Sequence, residues 1–315
     1  MGIIRAGAAP PVFFATLCRE ATMAVPRYDC SGQWLKGNTH IHSTASDGGK
    51  TPVELAAMYA AEGYDFLVRA DHWVPSDAAA EGHNYPLLWL DGVELDGPDE
   101  SGSRYHVVCI GRFAGLDREM GLEAAMDAAR RQGGYIVLAH PHWMGNTHED
   151  ALRHQFDAVE IYNHVCRWLN GKSDGTYHWN KMLEVRPNTV GLAVDDAHIR
   201  PDHPGWNGGW VMVNVREASA EGIMASLRSG NFYSTMGPQF EDIRLDGNVV
   251  TVRTSPVQFV RLAGRGWDGL RVGSFDATNL MTEATLEIPE KWKYAYVEIE
   301  DAQGRRAWTN TLTTG

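Results

Sequence analysis

Short apolar runs alternate with amphipathic stretches from Trp34 to about Gly237. In one unit, Thr51-Pro52-Val53-Glu54 forms a capping box with proline at the first helical position, which predicts a helix that ends at Gly63. The apolar run Phe66-Leu67-Val68 then predicts a strand. This alternation is typical of β/α units, so the first two thirds of the chain are predicted to form an α/β fold.

Polar residues follow four of the predicted strands, at the point where each strand ends. Residues 66–68 lead to Asp71-His72, residues 135–139 to His140, residues 158–162 to Asn163-His164, and residues 190–194 to Asp195-Asp196-Ala197-His198. In β/α barrels the carboxyl ends of the strands carry the active site. We therefore expect these side chains to meet at one site.

The pattern changes after Phe240. Arg244 to Val249 predicts a hairpin, and strand-like runs follow at residues 257–262, 284–288 and 294–299. The predicted organisation is an N-terminal extension over residues 1–33, a catalytic barrel over 34–238 and a β-rich domain over 239–315. The last part contains no histidine, so chemistry is expected in the first.

Charge and hydropathy exclude several classes of partner. The net charge of −12 argues against nucleic acid and anionic membranes, which attract basic surfaces. No apolar run approaches the roughly 18 to 20 residues that span a bilayer. Four cysteines without C-x-x-C spacing predict reduced thiols in a cytoplasmic protein. Two alternatives concern the N-terminus: residues 6–18 form a poor export signal, or Met23 is the true start.

The segment THIHSTASDG places His40 and His42 two residues apart, on one face of a strand, and Asp47 in the following loop. With the strand-end residues they form a set of imidazoles and carboxylates that suits Mn, Fe or Zn. The set comprises His40, His42, Asp47, His72, Glu94, His106, His140, Asp196 and His198. Nine ligands imply two or three divalent ions, with a carboxylate such as Glu94 as a bridge.

The motifs THIHSTASDG, YDFLVRADH, GVEL, LAHP and DDAH resemble those of the polymerase and histidinol phosphatase (PHP) superfamily. That resemblance implies a distorted (β/α)7 barrel around a multinuclear metal centre. WLKGNTHIHS, VEIYN, GNFYSTMGP and RAWTN are similar to the CehA/McbA-type metallohydrolases, named for carbaryl hydrolases, which add a C-terminal all-β domain. The chain departs from the pattern at Arg69, Ala70 and Trp73, beside the site.

Carried over by motif, the resemblance assigns metal binding to the same nine residues, with Glu94 as the bridging ligand. We expect His40 and His42 to share one ion and Asp47 to bind another. For His106 the alternative is a buried core histidine, which would leave two ions instead of three.

Residues beside the ligands have two interpretations each. His142 either contacts substrate or supports a ligand, and Arg167 and Arg200 either bind phosphate or are solvated. Trp73, Trp143 and Tyr162 are either core aromatics or pocket walls. Asp71 and Asp195 should face away from the metals and are interpreted as structural. The histidines outside any motif are assigned to the surface, namely His83, His148, His154, His178 and His203.

The predicted function is hydrolysis of a small-molecule ester by a metal-bridging hydroxide. A phosphoesterase is the first hypothesis, in which Glu94 bridges the ions and Asp196 or His198 transfers the proton. The substrate-binding residues would be Arg167, Arg200, His142 and Trp73. A carbamate or carboxylic-ester hydrolase is the alternative. A degenerate, metal-free binding module is a third hypothesis, which predicts lost ligands.

Overall fold

The computed structural model describes residues 25–314. The proposals for an export signal, a start at Met23 and the state of Cys18 therefore lie outside the described residues. The strands are β1 (Val25–Pro26), β2 (Gln33–Ile41), β3 (Phe66–Arg69), β4 (Leu88–Leu90), β5 (Gly92–Pro98), β6 (Arg104–Ile110), β7 (Tyr135–Leu138), β8 (Ala158–Asn163), β9 (Val190–Val194), β10 (Trp210–Val215), β11 (Phe232–Thr235), β12 (Phe240–Asp246), β13 (Val249–Val257), β14 (Phe259–Ala263), β15 (Gly269–Gly273), β16 (Met281–Glu287), β17 (Tyr296–Glu300), β18 (Arg306–Thr309) and β19 (Thr313–Thr314).

The helices lie mostly before residue 230. They are α1 (Pro52–Ala61), α2 (Ala78–Glu81), α3 (Leu122–Arg131), α4 (Pro141–Met144), α5 (His148–Arg153), α6 (His164–Asn170), α7 (Thr176–Val185) and α8 (Ala220–Ser229). The capping box predicted at the start of α1 is present, since Thr51 Oγ1 accepts from Glu54 N and the Glu54 carboxylate accepts from Thr51 N. None of these helices is long and apolar enough to cross a membrane.

Two sheets carry the first part of the chain. One has nine strands in the order β15-β14-β17-β18-β11-β10-β2-β3-β4, and the other has five in the order β5-β6-β7-β8-β9. Strands β2 to β4 are mutually parallel, as are β7 to β9. Strand β6 pairs antiparallel with both β5 and β7. The β5–β6 connection is a tight turn in which Asp99 Oδ1 accepts from Ser103 N, so no crossover helix is needed.

An apolar core separates the two sheets. Phe66 and Val68 of β3 and Val211 and Val213 of β10 contribute from one side, and Val137 and Leu192 are among the contributors from the other. The sheets also meet through two isolated parallel bridges, Ile41 with Ala197 and His72 with Glu94. Three of the four residues in these bridges lie at strand ends that carry candidate ligands, so the contact between the sheets coincides with the predicted site.

The architecture is a mixed α/β fold with several sheets. Within residues 25–314, no continuous hydrogen-bonded ladder joins the two large sheets into a closed barrel. The (β/α)7 barrel is therefore not confirmed. The physical reason is that β5 to β7 and β10 to β11 pair antiparallel, where a β/α barrel would repeat parallel units.

The C-terminal strands are divided between two sheets. Strands β12, β13 and β16 form a sheet of their own, whereas β14, β15, β17 and β18 extend the nine-stranded sheet through β11. Tyr233 of β11 pairs with Thr309 of β18. The large sheet thus crosses the predicted boundary at residue 238, and the domain limits stay a prediction.

Candidate metal centre

The nine candidate ligands lie together at the rim where the sheets meet. His40 is in β2 and His42 follows it, His72 follows β3, His140 follows β7, and Asp196 and His198 follow β9. Glu94 and His106 come from the antiparallel pair β5 and β6, where they alternate with the core residues Val93, Leu95, Tyr105 and Val107. This two-residue period turns Glu94 and His106 toward the rim.

The innermost group consists of His40, His42, Glu94 and Asp196. The Nε2 atoms of the two histidines are 3.1 Å apart, and Asp196 Oδ1 lies 3.3 Å from the first and 3.0 Å from the second. Glu94 Oε2 lies 3.4 and 3.3 Å from the same nitrogens. All four side chains are almost completely buried.

The other oxygen of Glu94 faces a second pair of histidines. Glu94 Oε1 is 2.9 Å from His106 Nδ1 and 3.4 Å from His140 Nε2. Glu94 Oε2 also lies 3.3 Å from His72 Nε2. A single carboxylate therefore contacts imidazoles on both of its sides, which is the arrangement expected of a bridging ligand.

A third group is more open to solvent. Asp47 Oδ2 is 3.2 Å from His198 Nε2, and Asp47 Oδ1 is 3.5 Å from His42 Nδ1. Together with His72 these residues could hold an ion, and the Asp47 side chain is 41% exposed. His42 contacts both His40 and Asp47, so the geometry does not assign the pair His40 and His42 and the residue Asp47 to different ions, and that assignment stays a prediction.

The distances in the innermost group are compatible with coordination of a metal ion. Two ligand atoms that each lie about 2.0 to 2.2 Å from one ion are about 3.0 to 3.5 Å apart in octahedral or tetrahedral geometry. In the innermost group, the two histidine nitrogens lie 3.0 to 3.4 Å from each other and from the carboxylate oxygens. The donor set of imidazole and carboxylate without thiolate suits Mn, Fe or Zn.

Strained backbone accompanies the candidate ligands. His140 has a φ of 26° and Asp196 a φ of 55°, and Trp73 and Ile199, next to His72 and His198, are also in this region. Such conformations cost about 1 to 3 kcal/mol each and cluster at functional sites. The strain arises where each strand turns sharply to aim its side chain at the rim.

Carboxylates control the protonation of the histidines. Burial opposes charge on His40, but Asp196, Glu94 and Glu160 outweigh it and raise the pKa of His40. Burial likewise opposes charge on His72, while the Asp96 carboxylate raises the pKa of His72 to about 9. Burial alone would raise the pKa of Asp196, yet His40, His42 and His198 lower it. The carboxylates of the centre therefore favour positive charge at His40 and His72, whereas burial lowers the pKa of His42.

Two carboxylates absent from the predicted set support the ligands from behind. Glu160 Oε1 lies 2.7 Å from His40 Nδ1, and Asp96 Oδ1 lies 3.2 Å from His72 Nδ1. Arg118 holds Asp96 through two hydrogen bonds of 2.9 Å. Both carboxylates could have been found from the sequence. Asp96 lies two residues after Glu94 and therefore on the same face of the strand, and Glu160 is a charged residue in an otherwise apolar strand.

A cavity of about 140 Å³ opens onto the centre. Seven of the nine candidate ligands line it, and His40 and His42 lie behind them. The remaining lining residues are Trp143, Val165, Cys166, Leu169 and His203. Among the described residues, no lysine or arginine lines the cavity, whose other lining residues apart from the ligands are mainly apolar.

The four predicted substrate-binding residues lie outside this lining. His142 is exposed, and the Trp73 indole donates to Asp96 O at 3.1 Å. Arg167 lines a separate groove because Val165, Cys166 and Leu169 occupy the face of α6 toward the cavity. Arg200 donates to Asp47 O at 2.9 Å and to the Asp202 carboxylate. Their roles stay predictions.

Other interpretations can be compared directly with the structure. Asp71 accepts from Ser43 and Ser46, and Asp195 accepts from Tyr59 and the backbone of residues 207–209, as expected of structural residues. The surface interpretation is wrong for His178, which is buried and bonded to Asn146 O, and for His203, which lines the cavity.

Comparisons with known proteins bear on the fold. No protein-family model and no curated protein matches the chain. A two-domain protein from Bacteroides vulgatus that contains a predicted PHP-like metal-dependent phosphoesterase is similar in structure. The TM-score is 0.52 at 17% identity, over 92% of this chain and 98% of that one.

Two further structures are less similar. A candidate metal-dependent phosphoesterase from Bifidobacterium adolescentis has a TM-score of 0.39 at 12% identity, over 52% of this chain and 89% of that one. An amidohydrolase from Chromobacterium violaceum, with bound sulfate, has a TM-score of 0.22 at 20% identity, over 60% and 63%. These two support no conclusion. At such identities the first likeness shows that this chain shares its fold with the Bacteroides protein.

Proposed function

We propose that this protein is a metal-dependent phosphoesterase of the PHP superfamily. The observation that carries the proposal is the innermost group, in which the Nε2 atoms of His40 and His42 lie 3.1 Å apart and each lies within 3.4 Å of Glu94 Oε2 and of Asp196 Oδ1. The motifs THIHSTASDG and DDAH and the fold shared with the Bacteroides protein support it. The CehA/McbA subfamily is part of the same proposal.

The chain would hold two or three divalent ions, of Mn, Fe or Zn. Glu94 would join the ion of His40, His42 and Asp196 to that of His106 and His140, and Asp47, His72 and His198 would hold a third. Bound there, such ions supply Lewis acidity that activates water and neutralises charge on the ester oxygens. We assign the bridging role to Glu94 and proton transfer to Asp196 or His198.

Two contacts of His198 support that assignment. Its Nδ1 donates to Asp196 O at 2.8 Å, which directs Nε2 toward Asp47 Oδ2 at 3.2 Å, at the cavity surface. Trp143 lies edge-on to His140 with 5.2 Å between ring centroids, and both residues line the cavity that would receive the substrate.

The test is the activity of the protein loaded with Mn²⁺ on p-nitrophenyl phosphate and bis-p-nitrophenyl phosphate. Turnover that chelation abolishes and Mn²⁺ restores is expected. The matched control is Asp196→Asn, which keeps the shape of the side chain and removes its charge. Elemental analysis should show bound metal in the wild-type chain. A chain that binds none of Mn²⁺, Fe²⁺ and Zn²⁺ would instead favour a degenerate binding module.

A second candidate is hydrolysis of a carbamate or carboxylic ester. The observation in its favour is the cavity lining, which offers Trp143, Val165 and Leu169 but no guanidinium or ammonium group to a phosphate. Turnover of 1-naphthyl methylcarbamate without turnover of either phosphoester would reverse the order of the two candidates.

A further inference from the structure

Glu160 lies in the middle of the buried strand β8 and is 1% exposed. Within residues 25–314, no lysine or arginine forms an ion pair with it. Its partners are three groups at the candidate metal centre: His40 Nδ1 at 2.7 Å, the backbone N–H of His140 at 2.9 Å and Asn163 Nδ2 at 2.9 Å. Burial of a carboxylate without a cationic partner costs free energy, so the presence of Glu160 at this position calls for a role.

Both oxygens of Glu160 act as acceptors. Oε2 accepts from His140 N and from Asn163 Nδ2, which can only donate, and Oε1 faces His40 Nδ1. The acceptor at Oε1 keeps the proton of His40 on Nδ1, so that the lone pair of Nε2 points toward His42, Glu94 and Asp196. Carboxylates fix metal-binding imidazoles in this way.

Asn163 extends the same contacts to another ligand. Its Nδ2 also lies 3.2 Å from Asp196 Oδ2, and its Oδ1 accepts from Cys166 N at the start of α6. The segment Glu160 to Asn163 thus contacts His40, His140 and Asp196 from the side opposite the cavity. It has no contact of this kind with Asp47, His72 or His198.

We propose that Glu160 and Asn163 are positioning residues that set the affinity of the inner metal site, formed by His40, His42, Glu94 and Asp196, without affecting the outer site of Asp47, His72 and His198. This inference rests on the proposed function. It makes the metal sites unequal, because one is preorganised by buried hydrogen bonds and the other is supported by the more exposed Asp47.

Two conservative variants test the proposal. Glu160→Gln keeps the shape but offers one acceptor and one donor, so it cannot satisfy His40 Nδ1–H and His140 N–H together. Asn163→Asp retains a good N-cap for α6 but replaces the donor that faces Glu160 and Asp196 with an acceptor. The matched control is Asp150→Asn, a buried carboxylate that caps α5 away from the cavity.

The full chain would be titrated with Mn²⁺ and with Co²⁺, and bound metal counted by elemental analysis after gel filtration. We expect Glu160→Gln and Asn163→Asp to lower the binding affinity for one ion by about 10- to 100-fold and to leave the affinity for another ion unchanged. The Co²⁺ absorption spectrum should also change. Asp150→Asn should bind like the wild type. Should Glu160→Gln fail to fold, Asn163→Asp provides the test.

The proposal is overturned if both variants bind as many ions as the wild type with the same affinity, or if Asp150→Asn loses metal to the same extent. It is also overturned if every ion is weakened equally, since a purely structural role predicts that result. A wild-type chain that binds no divalent ion has a different meaning, because it refutes the proposed function itself.

Discussion

Glu94 Oε1 lies 2.9 Å from His106 Nδ1, while Oε2 of the same carboxylate faces the paired nitrogens of His40 and His42. One side chain therefore belongs to two groups of candidate ligands, whereas His106 belongs to one. The two residues should differ in how much of the centre depends on them.

We expect Glu94→Gln to lower kcat/KM by at least about 1000-fold and His106→Ala to lower it by about 10- to 100-fold. The difference arises because loss of a bridging ligand weakens the binding of two ions at once. The measurement is kcat/KM on bis-p-nitrophenyl phosphate, with bound metal counted in each variant. Equal and mild losses in the two variants would contradict the bridging assignment.

The order in which the ions are lost should follow the solvent exposure of their candidate ligands. The Asp47 side chain is 41% exposed, whereas His40 and His42 are completely buried. Chelation by EDTA should therefore remove one ion per chain in a fast phase and the others more slowly. Time-resolved elemental analysis would resolve the phases. Asp47→Asn should abolish the fast phase, and a single phase in the wild type would refute the prediction.

The sequence predicted that the inner candidate ligands come together, because their chemistry and spacing are local. His40 and His42 alternate on one strand, and Asp196 follows a strand in the same way as His140. The helix α1 and the strands that lead to the site are confirmed, since capping and apolar runs are also local signals. Glu160 was missed because its role depends on contact with His40, 120 residues away.

The sheet arrangement could not be predicted for the same reason, because strand pairing also depends on contacts between residues that are distant along the chain. An antiparallel β5–β6 pair and a nine-stranded sheet that includes C-terminal strands follow from pairing choices that apolar periodicity does not distinguish. The positions of Arg167 and Arg200 illustrate this limit. Arg167 lines a separate groove, and the Arg200 guanidinium is engaged by Asp47 O and the Asp202 carboxylate, so neither arrangement could be read from proximity along the chain.

The metal-free protein should lose stability as the pH rises from about 6.5 to about 9. The pKa of His72 is raised to about 9 against burial by Asp96 and Glu94, and the carboxylates also raise the pKa values of His140 and His198. A histidine whose pKa is higher in the folded state stabilises that state at low pH, and this contribution disappears as the pH passes the folded value.

The free energy of unfolding of the EDTA-treated chain, measured in urea across this range, would show the loss. His72→Gln should reduce the slope, because it removes one of the titrating groups. The comparison should be made at constant ionic strength, since screening also changes the carboxylate–histidine attraction. A stability that is constant or rises from pH 6.5 to pH 9 would contradict the expectation.

A cation introduced into the cavity wall should favour charged substrates. Leu169 lines the cavity and is 38% exposed, so a lysine there can reach solvent and a bound anion. We expect Leu169→Lys to lower KM for p-nitrophenyl phosphate by up to about fivefold, the value of an exposed ion pair. KM for 1-naphthyl methylcarbamate should not fall, and Leu169→Met is the control. An equal effect on both substrates would argue against an electrostatic cause.

The pairing of β11 with β18 limits how the chain can be shortened. A fragment that stops at residue 238 would leave the outer edge of β11 without its partner strand, next to the buried aromatic rings of Phe232 and Tyr233. Such an edge is a template for intermolecular β-pairing and aggregation. A soluble fragment that carries the candidate metal centre would therefore have to retain the C-terminal strands.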